Sequence, residues 1–551
     1  MRIQTLLAMA LSVGAAFPGI QSVAAAGLSR AACIDLAGLP VPEATIVSVS
    51  AVGAGKFTPP PAPYAPDLGD RAARMPAFCR VEAIATPTPD SKIGIEVWLP
   101  SEGWNGRFLG TGNGGGAGSI AYGMGMVEGL RRGFAVANTD LGTAPDINLT
   151  VDQPERWTDF GHRATHEMTR VGKLLVRAFY GSESFRSYFE GCSTGGQQAL
   201  GSAQRYPGDY DGVLAGDPGN NRTHVATSFL WNYNALNEAP GSRLSPANLA
   251  MVSKAVVDQC GGKDGGAPGD AFLTDPRRCR FDPETLPRCE PGAAGDQCLS
   301  KPQMGALGKL YAGAVNPRTD ERIYPGLTPG SEDQPLGPSL QGDPEVWPAQ
   351  QFYPFKWALG EGFDTKSFDF DRDVDRLDAL LSSRLNANGV DLNDFRRRGG
   401  KAVIYTGLAD PAVPFQEVVH YYERAVTARG GLASTQEFLR LFLVPGMGHC
   451  FGGPGATDFG QPFSSLVPSE PDADILMSLV RWVEEGAAPD SLLGTRYGEG
   501  GDKTEPQARR PICAYPKFPE YTGGDPSSPA SFRCTEHERG SSMSPAARYL
   551  N

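Results

Sequence analysis

The sequence of 551 residues has no excess of positive charge, because 50 lysines and arginines face 62 aspartates and glutamates and the net charge is −12. Proteins bind nucleic acids largely through cationic side chains that neutralise phosphates, and this chain has no basic run. After its first residues it also lacks an apolar stretch of the roughly 20 residues that a membrane-spanning helix needs. Neither a nucleic acid nor a membrane is therefore expected as a partner.

Closely spaced cysteines, the usual mark of structural zinc, are missing as well. The ten cysteines contain no C-x₂-C pair of the kind that zinc prefers, so disulfides in an oxidising compartment explain them better. Neighbours along the chain are the first candidates for bridges. They are Cys260 with Cys279, Cys289 with Cys298, and Cys513 with Cys534. Spacing alone leaves the partners of the other four open, and these are Cys33, Cys79, Cys192 and Cys450.

The first residues favour export from the cytoplasm. Arg2 gives a positive start, residues 6–16 are apolar, and Ala24-Ala25-Ala26 is a small-residue cleavage site before Gly27. This order is typical of a secretory signal peptide, whereas the alternative, a membrane anchor, needs a longer apolar run. The sequence predicts a signal peptide over residues 1–26 and a mature protein that is secreted or periplasmic.

The order of apolar patterns divides the chain into three regions. From about Val81 to Tyr210, short strand-like runs alternate with helical patterns, as in a parallel βαβ sheet. Residues 220–367 contain four cysteines, many prolines and few apolar runs of strand length, and the alternation resumes from Gly399. The sequence predicts an α/β core made of residues 27–219 and 368–551, interrupted after its first half by a disulfide-stapled lid of residues 220–367.

A candidate nucleophile lies in Gly191-Cys192-Ser193-Thr194-Gly195, between a strand-like run and a helix-like run. Strand, G-x-S-x-G and helix together form a nucleophile elbow, in which a tight turn exposes the serine hydroxyl. The alternative is a serine that caps the helix N-terminus in a glycine turn. We expect Ser193 to be the nucleophile.

A nucleophilic serine needs a base that is itself held by a carboxylate. Among six histidines, His449 is the one in a loop after a late strand, where the order serine, acid, histidine places the base. Asp410 is the one carboxylate in the loop that ends the preceding strand-like run, residues 401–406. The alternatives are a structural histidine and a turn aspartate before proline.

The expected triad suggests how the four remaining cysteines pair. Cys192 directly precedes Ser193, and Cys450 directly follows His449. If the serine and the histidine are in contact, the two cysteines are close enough for a disulfide, which leaves Cys33 to pair with Cys79.

At these residues the chain resembles the tannase and feruloyl esterase family of α/β-hydrolases, whose mark is a Cys-Ser, Asp, His-Cys arrangement with a disulfide between catalytic neighbours. The similar motifs extend over nearly the whole mature chain. They are Trp104-Asn105-Gly106-Arg107-Phe108, residues 191–196, Tyr206-Pro207-Gly208-Asp209-Tyr210-Asp211-Gly212, Phe368-Asp369-Phe370-Asp371, Arg398-Gly399-Gly400-Lys401 and Val444-Pro445-Gly446-Met447-Gly448-His449-Cys450. The resemblance implies an α/β-hydrolase core with a large lid.

The resemblance also implies an oxyanion hole made of two backbone N–H groups. One belongs to Thr194, and Gly115 in the glycine-rich loop of residues 112–118 matches the position of the other. Glycine lets a backbone approach a tetrahedral oxyanion closely. The alternative for this loop, a phosphate cradle, lacks the G-x-x-x-x-G-K-[ST] form.

A structural calcium site in the lid is a further implication of the resemblance. In the matching run this chain lacks the first aspartate, but Asp264 and Asp270 are present, with the carbonyls of Gly266 and Phe272 as further candidate ligands. Calcium takes six to eight oxygens, so a calcium site and a solvated acidic loop are both left open.

The resemblance implies hydrolysis of esters of aromatic acids such as gallate or ferulate, so a small aromatic ester is expected as partner and no cofactor for the chemistry. The family also includes hydrolysis of terephthalate monoesters, but a carboxylate-ended substrate favours a bidentate arginine, and none lies between Arg322 and Arg372. Lys356, between Phe355 and Trp357, is the only nearby charge flanked by aromatic residues, so a neutral phenolic ester is favoured. A peptidase and a non-catalytic secreted binding protein are the other interpretations, and the sequence leaves the oligomeric state open.

Overall fold

The computed structural model describes residues 30–60, 68–290, 295–464, 466–498, 505–540 and 543–550, so the predicted signal peptide lies outside the described residues. Within these ranges, nine strands form one sheet. They are β1 Ala44–Val52, β2 Phe78–Ala85, β3 Ile93–Pro100, β4 Arg107–Thr111, β5 Ala135–Thr139, β6 Arg186–Cys192, β7 Gly212–Gly216, β8 Lys401–Gly407 and β9 Leu439–Val444. Two hairpins follow, β10 Ser491–Tyr497 with β11 Pro506–Cys513, and β12 Lys517–Tyr521 with β13 Phe532–Glu536.

The helices of the described residues cover the sheet and fill the long connection between β7 and β8. They are α1 Arg30–Asp35, α2 Asp70–Ala73, α3 Val127–Arg131, α4 Pro154–Thr158, α5 Ala164–Tyr180, α6 Thr194–Arg205, α7 Arg222–Asn237, α8 Pro246–Cys260, α9 Lys301–Ala312, α10 Pro338–Gln341, α11 Trp347–Gln351, α12 Tyr353–Leu359, α13 Arg372–Leu385, α14 Asn393–Arg397, α15 Phe415–Ala428, α16 Leu432–Gln436 and α17 Ile475–Glu485. No helix in these ranges has both the length and the apolar composition to cross a membrane.

The strand order of the sheet is β1-β2-β3-β5-β4-β6-β7-β8-β9. β1, β2, β3 and β5 pair antiparallel in succession, and all pairs from β5 through β4 to β9 are parallel. In register, Cys192 at the end of β6 faces Gly216 at the end of β7, and Gly407 at the end of β8 faces Val444 at the end of β9. Because the carboxyl ends of parallel strands lie at one edge, the loops that follow β4, β6, β7, β8 and β9 are neighbours.

The core lies on both faces of this sheet. Phe108 and Phe189 belong to one buried cluster with residues of α5, while their chain neighbours Leu109 and Tyr188 belong to another with residues of α17. Successive side chains of a strand point to opposite faces, and strands buried on both faces are typical of parallel sheets covered by helices. The central strands are therefore rigid supports for the loops at their ends.

Between β7 and β8 the described chain adds no strand to the main sheet and forms α7 to α14 instead. The bridges Cys260–Cys279 and Cys289–Cys298 lie in this segment. Near its end, α13 packs on α7, where the Thr223 hydroxyl donates to Asp378 at 2.7 Å. The lid boundaries at residues 220 and 367 stay predictions, but the position of the long insertion after β7 agrees with the α/β-hydrolase core expected from the sequence.

Candidate active site

Ser193 lies in a sharp turn between the end of β6 and the start of α6. Its φ of 63° is unusual for a residue with a side chain and stores strain of the kind found at functional turns. A Cβ atom on Gly191 would lie 2.7 Å from backbone atoms of Gly195, so strand and helix approach this closely only because residue 191 is glycine. The Ser193 side chain makes no capping hydrogen bond to α6, which argues against its interpretation as a helix cap.

His449 and Asp410 come from the loops after β9 and β8. The Nδ1 of His449 and the Oδ2 of Asp410 are 2.7 Å apart. The other oxygen of Asp410 accepts hydrogen bonds from the backbone N–H groups of Ala412 and Val413, at 2.7 and 2.9 Å. The Asp410 side chain is fully buried, so both of its oxygens are fixed and the imidazole ring is held in one orientation.

The surroundings of His449 set its protonation. Burial disfavours the imidazolium, but the charge and the hydrogen bond of Asp410 outweigh this, with help from Asp217, and raise the pKa of His449 above its ordinary value. Because Nδ1 is bonded to Asp410, the Nε2 atom is left to exchange a proton. This is the electrostatic arrangement of a general base that becomes positive during a reaction.

Ser193 and His449 line the same cavity, which has a volume of about 190 Å³. The Ser193 hydroxyl makes no hydrogen bond with His449 among the described contacts, and such bonds often tighten only when substrate is present. Most of the remaining walls are apolar or aromatic. They include Met124, Val225, Phe229, Leu336, Trp347, Val413, Phe451 and Phe463.

The two residues expected to form an oxyanion hole are in contact with each other, and Gly115 lines the cavity. The Thr194 hydroxyl donates to the carbonyl of Gly115 at 2.7 Å, and this contact ties the start of α6 to the glycine loop after β4. Within the described residues, the backbone N–H groups of Thr194 and Gly115 have no acceptor. Gly115 has a φ of 55°, a left-handed conformation that favours glycine. Two unused donors are therefore available beside Ser193.

Five disulfides are present in the described residues, with the pairings reached from the sequence. They are Cys33–Cys79, Cys192–Cys450, Cys260–Cys279, Cys289–Cys298 and Cys513–Cys534. The Cys192–Cys450 bridge joins residues 258 positions apart, with Cα atoms at 5.8 Å. It connects the turn of Ser193 directly to the loop of His449.

A second buried carboxylate, Asp217, was missed by the sequence analysis. It follows β7 and accepts hydrogen bonds from the Thr406 hydroxyl at 2.9 Å, the Gly407 N–H at 2.7 Å and the Cys450 N–H at 2.8 Å. Burial and repulsion from Asp410 raise the pKa of Asp217 to about 8. The strand before it, β7, consists of five small or aliphatic residues without periodicity, so no local pattern marked this aspartate.

One atom each of Asp217, Asp410 and His449 lie within 4.8 Å of one another, which is a spacing that a metal ion could use. The contacts described above already engage both carboxylates with N–H and O–H donors. Cys192 and Cys450, which form a second such group with Asp217, are bonded to each other. These residues therefore fit a hydrogen-bonded acid and base better than a metal centre.

Arg222, at the start of α7, was also missed. No arginine lies between Arg322 and Arg372, but Arg222, in a different part of the chain, lines the cavity with Ser193. Lys356 is not among the cavity residues, and its neighbour Trp357 stacks on Trp157, with ring centroids 5.4 Å apart. No sequence motif links the two residues, because Arg222 follows Ser193 by 29 positions and only the folded chain brings them to the same cavity.

The lid residues considered for calcium have other partners. Both oxygens of Asp270 bind the guanidinium of Arg510, at 2.6 and 2.7 Å. The oxygens of Asp264 accept backbone N–H groups from Gly266, Thr274 and Asp275, and Phe272 packs under Arg510. A cation already neutralises Asp270, and Asp264 is bound by N–H donors, so this set does not fit a calcium site.

Comparison with known proteins agrees with this geometry. The family model described as "Tannase and feruloyl esterase" matches residues 79–535. An uncharacterized esterase of Xanthomonas campestris is 38% identical, with 94% of this chain and 93% of that protein covered. A probable feruloyl esterase B-2 of Aspergillus terreus is 33% identical, with 81% and 83% covered.

A solved structure of a feruloyl esterase is also similar to this chain. The crystal structure of feruloyl esterase B from Aspergillus oryzae superposes with a TM-score of 0.83 at 28% identity, covering 92% of this chain and 100% of that one. The resemblance expected from the sequence is thus confirmed at the level of family and fold. The chain belongs to the tannase and feruloyl esterase family, has its α/β-hydrolase fold and is a carboxylic ester hydrolase.

Proposed function

We propose that the protein is a secreted or periplasmic serine esterase that cleaves esters of aromatic hydroxy acids through Ser193, His449 and Asp410. One observation carries the proposal: Ser193 and an Asp410-bound His449 open onto a single, mostly apolar cavity. Five disulfides support the compartment, together with the predicted signal peptide. Residues 220–367 are proposed as the lid that shapes the acyl pocket.

The first half of the reaction forms an acyl-enzyme. His449 takes the hydroxyl proton of Ser193 at Nε2 while the serine oxygen bonds to the ester carbonyl carbon. The carbonyl electron pair moves to the oxygen, which accepts hydrogen bonds from the N–H groups of Thr194 and Gly115. Collapse of this intermediate breaks the bond to the alkoxy oxygen, and the alcohol leaves with the proton that His449 returns.

The second half releases the acid. A water molecule gives a proton to His449 and attacks the acyl carbon, and the second tetrahedral intermediate collapses to free acid and Ser193. Asp410 stabilises the imidazolium in both halves and keeps its proton-carrying Nε2 directed away from the carboxylate. No cofactor takes part in these steps.

The aromatic specificity rests on the cavity walls and on the relatives. The cavity wall contains four aromatic side chains, and aromatic rings attract a substrate ring by stacking or by edge-to-face contact. They are Phe229, Trp347, Phe451 and Phe463. Feruloyl esterases are named among the proteins that this chain resembles over most of its length. A second candidate is a terephthalate monoester, because Arg222 is a cation in the cavity wall, although its hydrogen bonds within the protein leave only one N–H group for a ligand.

The test is a substrate panel on the purified enzyme: methyl gallate, methyl ferulate, a terephthalate monoester and an aliphatic ester. We expect turnover of an aromatic ester and its loss in Ser193→Ala, while Ser383→Ala, on the exposed side of α13, keeps full turnover. Cleavage of the aliphatic ester alone would overturn the aromatic assignment. Unchanged turnover by Ser193→Ala would overturn the proposed nucleophile.

A further inference from the structure

Arg222 contacts both halves of the proposed oxyanion hole at once. Its Nη1 donates to the Thr194 hydroxyl at 3.2 Å, and its Nη2 donates to the Gly115 carbonyl at 3.1 Å. Since the Thr194 hydroxyl also donates to the Gly115 carbonyl at 2.7 Å, the three residues close a ring of hydrogen bonds. This ring fixes the start of α6 against the glycine loop.

The charge of Arg222 is not neutralised by a carboxylate. Among the described residues it forms no ion pair within 4.0 Å, although it is only 5% exposed. Its guanidinium instead lies 5.5 Å from the ring centre of Phe160 and 5.7 Å from that of Tyr353. A buried charge without a counter-ion is costly, so its presence beside a reacting centre calls for a functional reason.

A buried cation beside Ser193 has two functional explanations, binding of a substrate carboxylate or stabilisation of the oxyanion. The hydrogen bonds of Arg222 distinguish between them. Nε and Nη2 both donate to the Tyr353 hydroxyl, and the bonds to Thr194 and Gly115 engage two more N–H groups. Four of the five guanidinium donors are thereby used within the protein. A substrate carboxylate would need two free parallel donors, whereas a fixed positive charge behind the oxyanion needs none.

We propose that Arg222 is a positioning residue of the oxyanion hole, which locks Thr194 against Gly115 and places an unpaired positive charge next to the tetrahedral oxyanion. This role rests on the proposed serine mechanism. The negative charge that forms on the carbonyl oxygen is then met by two N–H groups and by the field of the guanidinium. Such fixed, water-excluded charges act mainly on the transition state.

The experiment compares Arg222→Gln and Arg222→Lys with the matched control Arg156→Gln. Arg156 is a half-buried arginine that also donates to backbone carbonyls, those of Gly142 and Ala144, but it does not line the cavity. For a neutral aromatic ester we expect Arg222→Gln to lower kcat roughly a hundredfold with little change in KM. Arg222→Lys, which keeps the charge, should recover part of this loss, and the control should keep full activity.

Inhibition by an arylboronic acid supplies a readout that a purely structural role would not change. Boron bonds to the serine oxygen and becomes a tetrahedral anion, so its affinity should fall in Arg222→Gln by a factor similar to that in kcat. Adding Thr194→Val to Arg222→Gln should cost little more than either change alone, because both break the same ring.

Several results would overturn the proposal. One is a kcat of Arg222→Gln within threefold of wild type, and another is a lower kcat with unchanged boronate affinity. A raised KM confined to the terephthalate monoester, with kcat unchanged, would make Arg222 a substrate-binding residue instead. A wild-type enzyme that cleaves no ester and binds no boronate would overturn the serine mechanism as well, which separates that failure from a failure at Arg222.

Discussion

Removing the Cys192–Cys450 bridge should weaken both the fold and the catalysis. In the chain-entropy model, cross-linking across a separation of 258 residues stabilises the folded state by about 5.5 kcal/mol. The Cys289–Cys298 bridge, with a separation of 9 residues, contributes about 2.5 kcal/mol on the same basis. The double variant Cys192→Ala with Cys450→Ala should therefore lose about twice as much unfolding free energy as Cys289→Ala with Cys298→Ala.

The effect on catalysis has a local cause. Ser193 and Cys450 have φ angles of 63° and 69°, left-handed conformations that residues with a side chain adopt at a cost. The disulfide holds these two strained turns together, and without it the loop of His449 is free to relax away from the serine. A displacement of about 1 Å lowers the rate on the order of a hundredfold.

The assay measures urea unfolding and kcat at 25 °C on both double variants and on wild type. The control pair lies in the lid segment and contributes no cavity residue, so its kcat should stay at the wild-type level. The reasoning is refuted if the Cys192/Cys450 variant, shown to be folded by circular dichroism, keeps kcat within twofold of wild type. It is also refuted if that variant unfolds at the same urea concentration as the control.

Three further outcomes are expected. Protonated His449 accepts no proton, and the pKa of His449 is raised, so kcat/KM should fall as the pH decreases, with a half-point above about 6.5. Asp410→Asn should move this half-point to lower pH. An unmoved half-point would contradict the role of the carboxylate. Asp217→Ala removes the acceptor of two backbone N–H groups and a hydroxyl, so urea unfolding should report a loss of about 3 kcal/mol, and full stability would argue against this role. Arg510→Ala leaves buried Asp270 unpaired and should cost about 3 kcal/mol, while a chelator should leave the Tm of wild type unchanged; a chelator-induced drop would restore the calcium interpretation.

The sequence predicted the central elements of the fold well, because long apolar periodicity survives in any context. The strand-like run of residues 401–406 is found as β8, Lys401–Gly407, and the run before Gly191 is found as β6, Arg186–Cys192. β7, Gly212–Gly216, was not predicted, since five small or aliphatic residues carry no periodicity. It is a strand because its neighbours β6 and β8 supply hydrogen bonds on both sides.

At the site, too, residues with a local sequence pattern were predicted and residues defined by distant neighbours were missed. Ser193, Asp410 and His449 were predicted because each follows a recognisable strand and the order of a triad is known. Asp217 and Arg222 were missed because their roles depend on burial and on partners from distant segments. Whether an aspartate keeps its proton, or an arginine lacks a counter-ion, is decided by packing that no local pattern contains.

Opposite charges lie on the two sides of Ser193, because the carboxyl group of Asp410 holds His449 and the guanidinium of Arg222 holds Thr194 and Gly115. In the proposed reaction, His449 becomes positive and the carbonyl oxygen becomes negative when Ser193 attacks. Each new charge forms beside an opposite one that is already fixed, His449 beside Asp410 and the oxyanion beside Arg222, and this arrangement lowers the barrier without a reorganisation of solvent.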